Sequence, residues 1–185
     1  MDPDDRISSL DRFATLVAQG FGVGKIQIAP GTFGTLLGYP LLALLLLTQN
    51  WVCWWLGLGG MALLAVWTSS VAERVLRHKD PGSVVIDEIV AMPLCLAAFL
   101  YFESAGDDGV LMKPREVFSL IYFPVLAAHF ILFRIFDIWK PWPVRQSQRL
   151  PNGWGITVDD LLAALYVNLC YFGWVRFGQD LFPPR

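Results

Sequence analysis

Five carboxylates and three bases stand beside apolar runs in a chain that carries little other charge. Asp87 and Glu88 follow Val84-Val85-Ile86. Asp137 lies in the stretch Arg-Ile-Phe-Asp-Ile-Trp-Lys-Pro-Trp-Pro-Val-Arg, which contains Arg134, Lys140 and Arg145. Asp159 and Asp160 close Gly-Ile-Thr-Val-Asp-Asp. A carboxylate next to hydrocarbon is costly and needs a partner or a metal. Hard oxygen donors suit Mg2+, which takes one or two carboxylates, waters and the oxygens of a phosphate. Such an ion polarises a phosphoryl group and can activate a water, while Arg134, Lys140 and Arg145 could neutralise charge developing on the phosphate. These residue types together imply phosphate-ester chemistry beside a membrane.

Each group also has a plainer reading. Thr157 and Asp160 fit a capping box, and Asp159 would be favoured there by the helix dipole. Asp87 could cap a helix with Glu88 in its first turn, and Asp137 could pair with Arg134 or Lys140. Pro141 and Pro143 end the preceding helix and hold the chain extended, aiming Lys140 and Arg145, or they form a rigid elbow only. Residues 20–35 hold five glycines and a proline, which argues against a stable helix. No Gly-Lys-Ser/Thr follows, so this is no Walker loop, and a phosphate cradle and a tight linker are equal readings. His129 reads as a core residue, and Cys53, Cys95 and Cys170 as small buried hydrophobes without metal or disulfide spacing.

The elements that must position these groups are helices. The chain of 185 residues is 55% hydrophobic and only 16% charged, well below the usual share for a soluble domain. With a net charge of −2 and no dense basic run, nucleic-acid binding is excluded. The pattern predicts a single-domain, all-α, multi-helical bundle, embedded in or associated with a membrane. A tail over 1–7, one domain over 8–178 and a tail over 179–185 are expected. A first short helix fits Ser8 to Gln19. Five apolar runs follow, over 35–48, 51–67, 89–102, 117–133 and 161–175. Only the second and fourth reach the length of a span. If all five cross, ten Lys and Arg fall on one side and four on the other. The first side is then cytoplasmic, and it carries every carboxylate named above.

Four blocks resemble the phosphatidylglycerophosphatase A family: Pro-Gly-Thr-Phe-Gly-Thr at 30–35, Val-Ile-Asp-Glu at 85–88, Phe-Arg-Ile-Phe-Asp-Ile-Trp-Lys-Pro-Trp-Pro at 133–143, and Gly-Ile-Thr-Val-Asp-Asp at 155–160. The likeness runs from about residue 10 to 175, and the third block is the most specific. Where the family commonly has a glycine after the acidic pair, Ala91-Met92-Pro93 follows here, which implies altered packing. The resemblance implies a Mg2+-dependent phosphomonoesterase of the bacterial inner (cytoplasmic) membrane, with its active site facing the cytoplasm. Its substrate would be the lipid phosphate phosphatidylglycerophosphate, and its products phosphatidylglycerol and phosphate. The catalytic set becomes Asp87, Glu88, Asp137, Lys140, Asp159 and Asp160, with Asp87, Glu88, Asp137 and Asp160 on the metal. Arg134, Arg145, Thr32 and Thr35 would bind substrate. A cation-activated water is the expected nucleophile, and an aspartyl-phosphate route stays open. The alternatives are a phosphatase of another lipid or isoprenoid phosphate, and a non-catalytic small membrane transporter. A homo-oligomer is compatible with all of them.

Overall fold

Ser8 starts the first helix, α1 (Ser9–Ala18), with a capping box. Its hydroxyl oxygen accepts from the Asp11 N–H, and the Asp11 carboxylate accepts from the Ser8 N–H, both at 3.0 Å. A 3-10 turn over Gly20–Lys25 leads to α2 (Pro30–Leu46), and Asn50 caps α3 (Trp51–Leu76). Then come α4 (Ile86–Cys95), α5 (Ala97–Ser104), α6 (Pro114–Val117), α7 (Phe123–Trp139), α8 (Val144–Ser147) and α9 (Gly153–Gly173), with a π turn over Trp174–Gly178. This computed structural model describes residues 7–104 and 110–178. The expected C-terminal tail, most of the N-terminal one and residues 105–109 of the expected loop lie outside the described residues. Among the described residues all regular structure is helical, as the pattern predicted.

The helix α4 is the centre of the bundle. Nine of its ten residues are buried, and a helix with no solvated face must be surrounded. The surrounding helices are α2, α3, α7 and α9. The segment 30–35, expected not to be helical, forms the first turns of α2. Pro30 suits the N-terminal position, where its missing N–H is not needed. The following glycines are helical because they face α4 at close range. A Cβ on Gly38 would stand 2.3 Å from Met92 Cβ and 2.9 Å from the Ile89 carbonyl oxygen. Only a residue without a side chain lets the two backbones approach this closely.

Three further expectations are corrected. The run 89–102 is not one helix but breaks at Leu96. Pro93 removes an N–H and crowds the preceding turn. Asn168 of α9 bridges the break: its amide donates to the Leu94 carbonyl at 2.8 Å and its oxygen accepts the Ala98 N–H at 2.6 Å. The last helix starts at Gly153, two turns before Leu161, so Thr157 and Asp160 are no capping box. Asn152 holds the cap position, and the Thr157 hydroxyl is buried without a partner. Cys95 is buried as expected, but Cys53 and Cys170 are exposed, because helical phase turns them away from the core.

Among the described residues two helices are long and apolar enough to cross a membrane, Trp51–Leu76 and Gly153–Gly178, so the second run reaches that length as expected and the fifth does so in place of the fourth. Prolines and glycines cut the other runs short. The run 117–133 loses its beginning to turns before Phe123. The tryptophans at the start of α3 divide their roles. Trp54 is fully buried and Trp55 is half exposed, packed edge-on at 4.6 Å between centroids.

Candidate active site

Three helix segments converge on one set of charged groups. The first turn of α4 supplies Asp87 and Glu88, where the helix dipole favours anions. About two turns into α9 stand Asp159 and Asp160. The last turns of α7 carry Arg134 and Asp137, and Lys140 caps that helix. Lys140 is not extended as expected. It adopts the left-handed conformation (φ 49°, ψ 65°) and its N–H bonds the Phe136 carbonyl at 2.8 Å. Its side chain is thereby returned toward α9.

The first half of the site is starved of partners. One oxygen each of Asp87, Glu88 and Asp160 lie within 4.8 Å of one another. Asp87 Oδ1, Glu88 Oε2 and Asp160 Oδ2 are all buried with no hydrogen-bond donor. At that separation two carboxylates repel by at least ~3 kcal/mol at an effective dielectric near 20. Three such pairs would rival the whole stability of an ordinary domain. Burial, then the Glu88 charge, pushes the Asp87 carboxyl well above the usual range. Burial likewise pushes Glu88 up to about 7, against the pull of hydrogen bonding from Asp87 and, less strongly, of the Arg134 charge. Buried, convergent and unpaired hard oxygens are the donor set a divalent cation of the Mg2+ type takes, so these residues fit such an ion.

The second half is saturated. Arg134 Nη1 donates to Asp137 Oδ2 at 2.7 Å and approaches Glu88 Oε1 at 3.7 Å. Lys140 Nζ donates to Asp159 Oδ2 at 2.5 Å and stands 3.9 Å from Asp137 Oδ1. Gln148 Nε2 donates to the same Asp159 oxygen at 3.0 Å. Burial alone would lower the Lys140 pKa, but the Asp159 charge and hydrogen bond outweigh it and hold the ammonium above its ordinary value. Both bases are therefore charged and held in place. Each remains partly open, with 19% of the Arg134 side chain and 25% of the Lys140 side chain exposed.

Gly31 seals the junction between the halves. A Cβ there would meet Glu88 Oε1 at 2.2 Å and Arg134 Nη1 at 3.0 Å. The glycine block at 30–35 thus serves the site by standing aside rather than by cradling an anion.

The structure brings Asp87, Glu88, Arg134, Asp137, Lys140, Asp159 and Asp160 together. Of the four expected metal ligands, three form the unpartnered cluster, and Asp137 is engaged with the two bases. Thr35 is fully buried and its hydroxyl donates to the Gly31 carbonyl at 2.8 Å. Thr32 lines a groove beside Arg134. Arg145 is exposed on α8, and its guanidinium has no ion-pair partner among the described residues. His129 is a core residue as expected, with Nδ1 2.8 Å from the Val125 carbonyl oxygen. Gln148 and Gly31 were not singled out from the sequence. A lone amide in a polar turn carries no signal until the fold brings it to Asp159.

The model of the phosphatidylglycerophosphatase A family matches residues 16–175. The chain belongs to that family. It is 37% identical over 159 residues to phosphatidylglycerophosphatase A of Haemophilus influenzae, covering 85% of each chain. It is 31% identical to phosphatidylglycerophosphatase A of Escherichia coli, covering 85% of this chain and 81% of that one. It is 34% identical over 155 residues to a Bacteroides thetaiotaomicron protein provisionally named a phosphatidylinositol-3-phosphatase, covering 82% and 86%. No solved structure matches the chain. Membership in the phosphatidylglycerophosphatase A family makes the chain an enzyme, a phosphoric monoester hydrolase, and sets the transporter alternative aside.

Proposed function

We propose that this enzyme hydrolyses phosphatidylglycerophosphate to phosphatidylglycerol and phosphate with the help of a bound Mg2+. The observation that carries the reading is the trio of unpartnered buried oxygens on Asp87, Glu88 and Asp160, placed beside two immobilised bases. These three carboxylates would hold the cation, whose contribution is to polarise the phosphoryl group as a Lewis acid. The phosphate oxygens are received by Arg134 and Lys140, whose charges are already in place and need little reorganisation. Asp137 keeps the two bases a fixed distance apart. Asp159, itself held by Gln148, orients Lys140. The names of the two phosphatidylglycerophosphatase relatives support the substrate.

The setting we propose is the bacterial cytoplasmic membrane, with the site toward the cytoplasm. Supporting it are two helices of spanning length and the position of Asp159 and Asp160, about 10 Å along α9 from its start at 1.5 Å per residue. That depth is near a segment end rather than mid-span. A second reading, hydrolysis of a different lipid phosphate, is favoured by the name of the Bacteroides relative.

The test is phosphate release in detergent micelles from phosphatidylglycerophosphate and from phosphatidylinositol 3-phosphate, with Mg2+ and with excess EDTA. Release from the first substrate, dependent on Mg2+ and lost in folded Asp87→Asn protein, is expected. Release that persists in EDTA would refute the cation site, and release from the second substrate alone would move the reading to phosphoinositides.

A further inference from the structure

The helix α7 presents two different surfaces on either side of Arg134. At roughly 100° per residue, Asp137 falls on one flank of Arg134, and Ile131, Ile138 and Ile135 fall in a stripe on the other. The first flank faces the carboxylates. The second is unpacked: Ile131 is 56% exposed, Ile135 48% and Ile138 73%. With Trp139 and Thr32 of α2, this stripe lines an open groove of about 660 Å3 in which Arg134 is the single charged residue. The guanidinium therefore belongs to two places at once. It lines an apolar groove and bonds Asp137 inside the charged site.

We propose that this groove is the docking site for the glycerol backbone and an acyl chain of the lipid phosphate substrate. The inference rests on the lipid-phosphatase reading above and specifies how the substrate lies. Such a substrate is an anion joined to hydrocarbon, and it needs a site that changes from cationic to apolar within the length of a head group. Arg134 supplies that change in one side chain. Its nitrogens attract the phosphate, and the groove beyond its stem receives the chain. A second apolar groove, about 440 Å3, runs between α1, α2 and α3 past Phe13, Leu41 and Met61. It has no charged residue in its lining, so it offers the phosphate nothing and serves as the comparison.

The experiment measures kcat/KM in mixed micelles for phosphatidylglycerophosphate with long acyl chains and for its deacylated, water-soluble head group. Three variants accompany the wild type. Ile138→Asn makes the groove polar. Ile135→Trp fills it while keeping the helix face apolar, so that insertion and folding are preserved. Phe13→Asn alters the comparison groove. The expected result is a loss of about tenfold on the acylated substrate in both α7 variants. Hydrolysis of the deacylated head group should stay within about twofold of wild type. The Phe13 variant should match wild type on both substrates. Equal losses on both substrates, no loss in Ile135→Trp, or a selective loss in Phe13→Asn would each overturn the inference. A wild type that cleaves the head group but gains nothing from acyl chains would overturn it while leaving the phosphatase reading intact. A wild type inert toward both would overturn the substrate reading itself, and the inference with it.

Discussion

The acidic first turn of α4 and the mixed charges on the last turns and cap of α7 meet in one site and end in opposite conditions. At the start of α4, Asp87 and Glu88 meet Asp160 with three buried oxygens unpartnered. At the end of α7, the two bases, Asp137 and Asp159 satisfy one another through short charged contacts. The difference separates two tasks. A starved cluster gains stability from whatever neutralises it, a proton or a bound cation. A saturated one is held rigid before anything arrives, which is what receiving a phosphate requires.

The largest effect should come from neutralising the starved side. Asp87→Asn and Asp160→Asn are expected to lower kcat/KM by at least about 10²-fold. Removing a repelling buried charge should at the same time raise the thermal midpoint of the cation-free protein. Unfolding scans in EDTA check the second half; a lowered midpoint would contradict the unpaired state. On the saturated side the sign reverses. Lys140→Met strands Asp159 and should cost about 3 kcal/mol of unfolding free energy, read from denaturant titration in micelles. Adding Asp159→Asn should recover part of that loss.

Gly31→Ala attacks the seam between the two regions. The new methyl group must displace Glu88 or Arg134, with an expected penalty of about 1–3 kcal/mol and weaker binding of both cation and substrate. Unchanged calorimetric Mg2+ affinity in this variant would show that the junction is softer than described.

The smallest effect concerns pH. Glu88 has a folded pKa of about 7 against an ordinary 4.5. Its protonated form is the one that burial favours. The cation-free protein therefore holds that contribution in full below about 4.5 and loses it as pH rises through about 7. Cation binding must expel this proton, so Mg2+ affinity should fall below about pH 7. Calorimetry in buffers of different ionisation enthalpy counts the released protons. A count of zero at pH 6 would contradict a protonated Glu88.

Much of this arrangement was legible in the residues. Charge concentrated beside apolar runs marked the seven groups that meet, because a charge beside hydrocarbon needs a partner or an ion. The first helix, expected over Ser8 to Gln19 and found over Ser9–Ala18, was legible from its local apolar spacing. Helix boundaries were harder wherever a tertiary contact overrode a local rule. Gly31 and Gly34 looked like part of a loop because low helix propensity is visible in a sequence, whereas the close approach of α4 is not. The break at Leu96 was hidden because its compensation comes from Asn168, more than seventy residues on. Thr157 and Asp160 imitated a cap that the chain places a turn earlier.

On the function proposed above, the charge arithmetic of the site implies an order of events. Five carboxylates and two bases share one site, a sum of −3 if all are ionised. A phosphomonoester brings further negative charge and would be repelled by such a net charge. With the proposed cation, the lipid would be a competent ligand only after the ion is seated, a compulsory sequence of metal first and lipid second. Within a two-dimensional film of anionic lipids, that order would make the local supply of divalent ion, rather than encounter with substrate, the gate on turnover.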